Sequence, residues 1–183
     1  MSAPVTEPLE FDHTYELMDH LVRESAASVG RPASDMADLA SLVRALLDIN
    51  RGQNTGAPLG GGLFDAVITA ACPASRALVD LMDGIQSGCG PVIEDPENGW
   101  LYWLVPPRSA GRWTGHSHAV CLGAPHTITL QALDQTAAPG PYWLRPQASD
   151  RLVPVGPLRQ ALARFQPEPA PPSDLATCLR VPR

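Results

Sequence analysis

Apolar residues recur at steps of three and four in four stretches of the chain, which is the spacing of an amphipathic helix. They predict helices over residues 12–29, 35–49, 73–85 and 155–165. Glycine and proline separate the first two stretches, so we expect the helices over 12–29 and 35–49 to form a hairpin. The second of these helices carries an apolar stripe of six residues, Met36, Leu39, Leu42, Val43, Leu46 and Leu47.

Short apolar runs bounded by turn residues predict strands between these helices. The first run begins at Leu63 and reads as a buried strand. The pair Asn98-Gly99 is typical of a β-hairpin turn, and it joins predicted strands at 91–93 and 100–105. Further short strands are predicted at 119–122, 127–130 and 141–144.

This order of elements predicts an α+β fold, in which helices pack on a small mixed or antiparallel sheet. We expect three parts along the chain. Residues 1–58 hold the helical hairpin and most of a glycine-rich loop, residues 50–62, whose small and polar residues disfavour a regular element. Residues 59–166 form the α+β domain. Residues 167–183 form a proline-rich disordered tail, because they cannot bury enough apolar area to offset the entropy lost on ordering.

Composition limits the class of protein. A chain of 183 residues with 44% hydrophobic residues has the size and apolar content of one globular domain. No run approaches the roughly 18 apolar residues of a membrane span, and the first residues resemble no secretion signal. We therefore expect a cytoplasmic protein that does not enter a membrane. The four cysteines contain no CxxC pair, so we interpret them as small buried hydrophobic residues.

Charge is divided unevenly between the two halves of the chain. The net charge of −6 argues against a protein that coats nucleic acid through a generally basic surface. Residues 1–99 hold 5 Arg and 15 acidic residues, whereas residues 100–183 hold 8 Arg and 4 acidic residues. Any phosphate-binding surface is therefore expected in the second half of the chain.

Several short sequence motifs, in this order and spacing, carry a family resemblance over about residues 60–165. They are Gly62-Leu63-Phe64-Asp65-Ala66-Val67, Gly90-Pro91-Val92, Gly99-Trp100-Leu101-Tyr102-Trp103-Leu104-Val105-Pro106-Pro107, Cys121-Leu122-Gly123 and Pro141-Tyr142-Trp143-Leu144-Arg145-Pro146. The chain resembles the actinobacterial bifunctional DNA primase/polymerase (Prim-Pol) domain proteins of the archaeo-eukaryotic primase superfamily.

The resemblance implies a two-metal site that this chain has largely lost. Catalytic members hold divalent metals on an Asp-x-Asp at the end of the first strand and on a later Asp, and use a hairpin His near the phosphates. Asp65 matches the first carboxylate, but the second falls on Val67, the later Asp falls near His118, and the hairpin His falls near Trp100. One carboxylate cannot hold two metals, so we expect neither primase nor polymerase activity and assign no metal site. A residual Mg²⁺ or Mn²⁺ is the alternative left open.

The leading hypothesis is a noncatalytic accessory or regulatory protein that binds DNA or a nucleotide. Trp100 and Tyr102 share one face of a strand and could stack on an unpaired base, although core packing also explains them. Arg108 and Arg112 follow one predicted strand, and Arg145 and Arg151 follow another. These arginines would form a basic rim if their loops converge. For Asp65, the alternative is a purely structural hydrogen bond to a neighbouring turn.

Two other classes of function stay open. The helices over 12–29 and 35–49 could dock a protein partner or form a homodimer through their apolar stripe. A repurposed small-molecule enzyme would use Asp65 with the His/Cys segment 116–126, and His118 is its second catalytic candidate beside Asp65. The other members of that segment with reactive side chains are His116, Cys121 and His126. Their spacing supplies no catalytic triad, and a zinc site is not assigned because Cys121 would point away from the histidines.

Overall fold

The computed structural model describes residues 36–49, 52–60, 62–85, 89–146 and 151–169. The helix predicted over 12–29 lies outside these residues, and so does the tail from residue 170 onward. No helix among the described residues is long and apolar enough to cross a membrane.

In the described part of the chain, three helices and seven strands form an α+β fold. The helices are α1 (Met36–Ile49), α2 (Pro73–Ile85) and α3 (Val155–Phe165). A single 3₁₀ turn covers Ala110–Arg112. The strands are β1 (Thr55–Pro58), β2 (Asp65–Ala70), β3 (Val92–Asp95), β4 (Trp100–Val105), β5 (Val120–Leu122), β6 (Thr127–Leu130) and β7 (Tyr142–Arg145).

The strands form two antiparallel sheets. The larger has the order β5-β2-β4-β3-β7, and the smaller pairs β1 with β6. Strand β4 is central, since it pairs with β2 on one side and with β3 on the other. The β3–β4 connection at residues 96–99 is the predicted hairpin turn, and Gly99 has the positive φ of 69° that such a turn requires.

Alternating residues of the larger sheet face two separate hydrophobic cores. On one face, Val67, Leu101 and Trp103 pack with α2 and α3. On the other, Ile68, Tyr102 and Leu104 pack with α1 and the smaller sheet. The described residues therefore form three layers, with the five-stranded sheet in the middle.

Residues 36–58 belong to the same packed unit as the rest of the domain. Leu42, Val43 and Leu46 of α1 are buried in the core beneath the larger sheet. The prediction of a loop throughout 50–62 is wrong for β1, which pairs with β6 from Thr55 to Pro58. Backbone pairing and the burial of Ala57 compensate for the low strand propensity of this segment. The domain boundary expected after residue 58 therefore falls between β1 and β2, inside this packed unit.

A close backbone contact at Gly90 fixes the approach to α3. Gly90 has a φ of 90°, and a Cβ at this position would lie 2.8 Å from the Val153 nitrogen. The Val153 N–H in turn donates to the Leu104 carbonyl at 2.8 Å. Only glycine combines this backbone conformation with this contact, so the chain can join the central strand just before α3 begins.

The burial of α1 leads to a test of its place in the core. Truncation of Leu46 to Ala should lower the free energy of unfolding by about 2–5 kcal/mol, because this fully buried side chain would leave a cavity. Exposed Ser41 on the same helix provides the control, and Ser41→Ala should change stability by less than about 0.5 kcal/mol. Urea unfolding measures both values. Equal, small effects would show that α1 does not stabilise the domain.

Candidate functional site

Asp65, the carboxylate expected from the family resemblance, lies buried at the start of β2. Its Oδ2 accepts a hydrogen bond from the Ala110 N–H at 2.8 Å. Gly123 packs against it so closely that a Cβ there would lie 3.2 Å from Asp65 Oδ1. The carboxylate thus connects β2 to the loop that follows β4, as in the structural interpretation of Asp65.

Backbone N–H groups of neighbouring loops lie close to the Asp65 carboxylate. Backbone N–H groups of Gly60, Arg108 and Ser109 favour its charged form, in addition to that of Ala110. Arg108 has a φ of 68° and Ser109 is right-handed helical, a combination that turns successive N–H groups toward one point. The carboxylate occupies the position that an external anion would take in such a loop.

Burial nevertheless dominates the titration of Asp65. Desolvation raises its pKa above the ordinary value of 3.8, and the backbone N–H groups oppose this only in part. Its Oδ1 is buried without a hydrogen-bond partner, which is consistent with that cost. The neighbouring Cys121 has its pKa raised to about 12 by burial and by the Asp65 charge, so it is a thiol rather than a nucleophilic thiolate at neutral pH.

The donor set of a two-metal centre is not assembled around Asp65. Val67, at the position of the second expected carboxylate, is fully buried and apolar. Among the described residues, no three His, Cys, Asp or Glu side chains are arranged to hold a metal ion. The Mg²⁺ or Mn²⁺ implied by the resemblance does not fit these residues, because Val67 supplies no second carboxylate and Asp65 Oδ2 already accepts the Ala110 N–H.

The histidines of the segment 116–126 contact one another and the loop backbone. The rings of His116 and His118 lie 5.8 Å apart, and His116 Nδ1 accepts the His118 N–H at 3.2 Å. Burial, followed by the charges of Arg159 and His118, lowers the pKa of His116. His126 donates from Nδ1 to the Gly123 carbonyl at 2.9 Å. Within the described residues no histidine is hydrogen-bonded to Asp65, so they do not form an acid/base pair.

Arg108 and Arg112 extend into solvent from the loop that Asp65 holds. Both are exposed, and neither forms an ion pair with any of the described residues. Arg159 of α3 braces the far end of the loop. Its guanidinium donates to the Thr114 carbonyl at 2.7 Å and lies 5.1 Å from the centre of the Trp113 ring. The basic loop, residues 106–115, is therefore anchored in its middle by Asp65 and at its C-terminal end by Arg159.

Arg145, the third arginine expected in a basic rim, is engaged within the fold. Its Nη2 lies 2.9 Å from Asp80 Oδ1, and its Nε pairs with Asp83 Oδ2 at 2.5 Å. Both aspartates are on α2, so Arg145 ties the edge strand β7 to that helix. The structure does not add Arg145 to the exposed pair on the basic loop.

Trp100 and Tyr102 share a face of β4, as their spacing predicts, but they lie in the core. Each residue is only 7% exposed. The two rings meet edge to face, with centroids 6.4 Å apart. They line a cavity of about 140 Å³ together with Asp95, Asn98 and Gln131. They offer no open stacking platform, and they lie at the opposite end of β4 from the basic loop.

Sequence reasoning missed Asp95 and Gln131, which are buried polar residues of this cavity. Asp95 stands at the first position of the hairpin turn, where an aspartate is ordinary, so its burial had no local signal. Gln131 follows β6 and is brought to the cavity only by tertiary packing.

Comparison with known proteins adds no assignment. No family model, curated protein or solved structure matches the chain. The Prim-Pol resemblance stays a prediction, and so does the cytoplasmic location.

The raised pKa of Asp65 predicts a pH-dependent stability difference between the wild type and Asp65→Asn. Because an acid with a raised pKa binds protons more tightly in the folded state, its favourable contribution is present below pH 3.8 and is lost as pH rises through the folded-state pKa. The stability of the wild type relative to the variant should therefore fall with pH, by about 1.4 kcal/mol for each unit of pKa shift.

Urea unfolding of both proteins between about pH 3 and pH 7 measures this difference. Cys121 stays protonated over the range, since its pKa is about 12. A difference that is constant or that rises with pH would contradict the buried, destabilised carboxylate.

Proposed function

We propose that this protein is a noncatalytic nucleic-acid-binding accessory protein whose basic loop contacts backbone phosphates. The observation that carries the proposal is the pair of exposed guanidinium groups, Arg108 and Arg112, without ion-pair partners among the described residues. An arginine can bind a phosphate through two parallel N–H···O hydrogen bonds. Such contacts fix a protein on nucleic acid without reading its sequence.

The anchoring of the basic loop supports this proposal. Asp65 accepts the Ala110 N–H inside the loop, and Arg159 binds the carbonyls of Thr114 and Gly115. A loop held at two points loses less conformational entropy on binding than a free one. Asp65 is then a positioning residue, in place of the metal-binding role that the family resemblance implies.

The same geometry gives less support to the two alternatives. The apolar stripe of α1 is directed into the domain core through Leu42, Val43 and Leu46, so these side chains are not available to a partner. The helix over 12–29, the other half of that hypothesis, lies outside the described residues. For a small-molecule enzyme, Asp65 lacks a contact with a histidine, and the Cys121 thiol is protonated at neutral pH.

The test is the salt dependence of binding to single-stranded DNA. The wild type should bind a fluorescently labelled oligonucleotide with an affinity that falls steeply as salt rises. Removal of two phosphate contacts in Arg108→Ala/Arg112→Ala should lower the slope of log K against log salt by about 1.4. Fluorescence anisotropy at several salt concentrations gives both quantities, and addition of Mn²⁺ or EDTA should change neither.

Arg164→Ala provides a matched control, because Arg164 is an exposed arginine of α3 outside the basic loop. It changes the net charge by one unit and should have the smaller effect on the slope. Equal slopes for the double variant and the wild type would reject the basic loop as the phosphate contact. Absence of binding by the wild type at low salt would reject nucleic-acid binding altogether.

A further inference from the structure

The cavity beside Trp100 and Tyr102 has the size of a small ligand. It lies between the larger sheet and β6 and has a volume of about 140 Å³. An engineered protein cavity of about 150 Å³ holds benzene, so this volume accepts a group of five or six heavy atoms. The two rings that line it are nearly perpendicular, at 86°, and so offer two walls of different orientation.

A buried carboxylate lines the same cavity. Asp95 is 5% exposed, and its Oδ1 accepts the N–H groups of Glu97 and Asn98 at 3.2 and 3.1 Å. Its Oδ2 accepts Asn98 Nδ2 at 2.7 Å and the Tyr102 hydroxyl at 3.1 Å. These four donors occupy the four acceptor positions of a carboxylate. All four are neutral, and no cationic side chain of the described residues pairs with Asp95.

The Asp95 carboxylate therefore brings a negative charge without a counter-ion to the cavity. Its hydrogen-bond acceptor positions are already filled. A buried charge is normally paired, which favours a positive ligand and opposes an anion such as phosphate. A primary ammonium has three N–H donors, and the carboxylate has no free position to accept them. An ammonium without N–H groups needs only the charge and the aromatic faces.

We propose that this cavity binds a methylated ammonium group, with Trp100 and Tyr102 as its aromatic walls and Asp95 as its counter-ion. A tetra-substituted nitrogen with its methyl groups has the number of heavy atoms that the volume accepts. The Gln131 amide, which donates from Nε2 to the Thr129 carbonyl at 3.1 Å, completes the polar side of the cavity. The site shares no residue with the basic loop, so it is independent of the proposed nucleic-acid binding.

Isothermal titration calorimetry with two isosteric probes tests the proposal without changing the protein. Choline carries the trimethylammonium group, whereas 3,3-dimethyl-1-butanol replaces its nitrogen with carbon and has no charge. Choline should bind at least about tenfold more tightly than the neutral probe, because only the cation gains from the ring faces and the carboxylate. Equal affinities would overturn the proposal in favour of an unselective apolar cavity, and so would failure of choline to bind.

A variant and a peptide probe complete the experiment. Trp100→Leu should weaken choline binding at least about tenfold, whereas Arg164→Ala, remote from the cavity, should not. Unchanged affinity in a folded Trp100→Leu protein, checked by circular dichroism, would overturn the role of the ring. A trimethyllysine peptide separates the two sources of this chemistry. Tighter binding of the peptide than of choline would identify a modified protein side chain, and the reverse would identify a free solute.

Discussion

The double burial of β4 is the constraint on which the rest of the structure depends. All six residues from Trp100 to Val105 are buried, because each face of the strand is covered by a different layer. Backbone pairing with β2 and β3 satisfies its hydrogen bonds from both sides. Even the indole N–H of Trp103 finds a partner, Thr69 Oγ1, at 3.0 Å. A polar substitution in β4 would therefore disturb at least one of the two cores.

The partners of the charged groups distinguish those that join elements of the fold from those that are candidates for binding a ligand. Glu94 is buried beneath α2, where it pairs with Arg76 and accepts the Tyr142 hydroxyl at 2.9 Å. At the edge of the sheet, Arg145 of β7 forms ion pairs with two aspartates of α2. These ion pairs join the larger sheet to α2 and leave the buried Glu94 with an opposite charge beside it. The arginines of the basic loop and the buried carboxylates of Asp65 and Asp95 have no opposite charge beside them among the described residues. Asp65 holds the loop backbone, whereas Asp95 lines a cavity, so the basic loop and Asp95 are the candidate ligand sites.

The local sequence pattern predicted most of the helices and strands, but it did not predict the contacts of the candidate site residues. The helices over 73–85 and 155–165 and the strand over 100–105 have the predicted bounds, since each has a strong period and clear turn residues at its ends. Strand β1 was missed because its stability comes from pairing with β6, some 70 residues later in the chain. The partner of Arg145 was inaccessible for the same reason: an ion pair with Asp83 depends on how β7 and α2 pack, which spacing does not encode.

The two candidate sites lie at opposite ends of the same strand. Trp100 begins β4 and the basic loop follows Val105, a separation of about 17 Å along the strand. A mononucleotide held by Arg108 and Arg112 could not also bring its base into the Trp100 cavity. The charges at the two ends of the strand also differ in sign. The arginines attract phosphate, whereas the Asp95 carboxylate repels it. The aromatic pair and the arginines, which the sequence grouped as one nucleic-acid surface, are therefore better understood as two sites of opposite electrostatic preference built on one rigid strand.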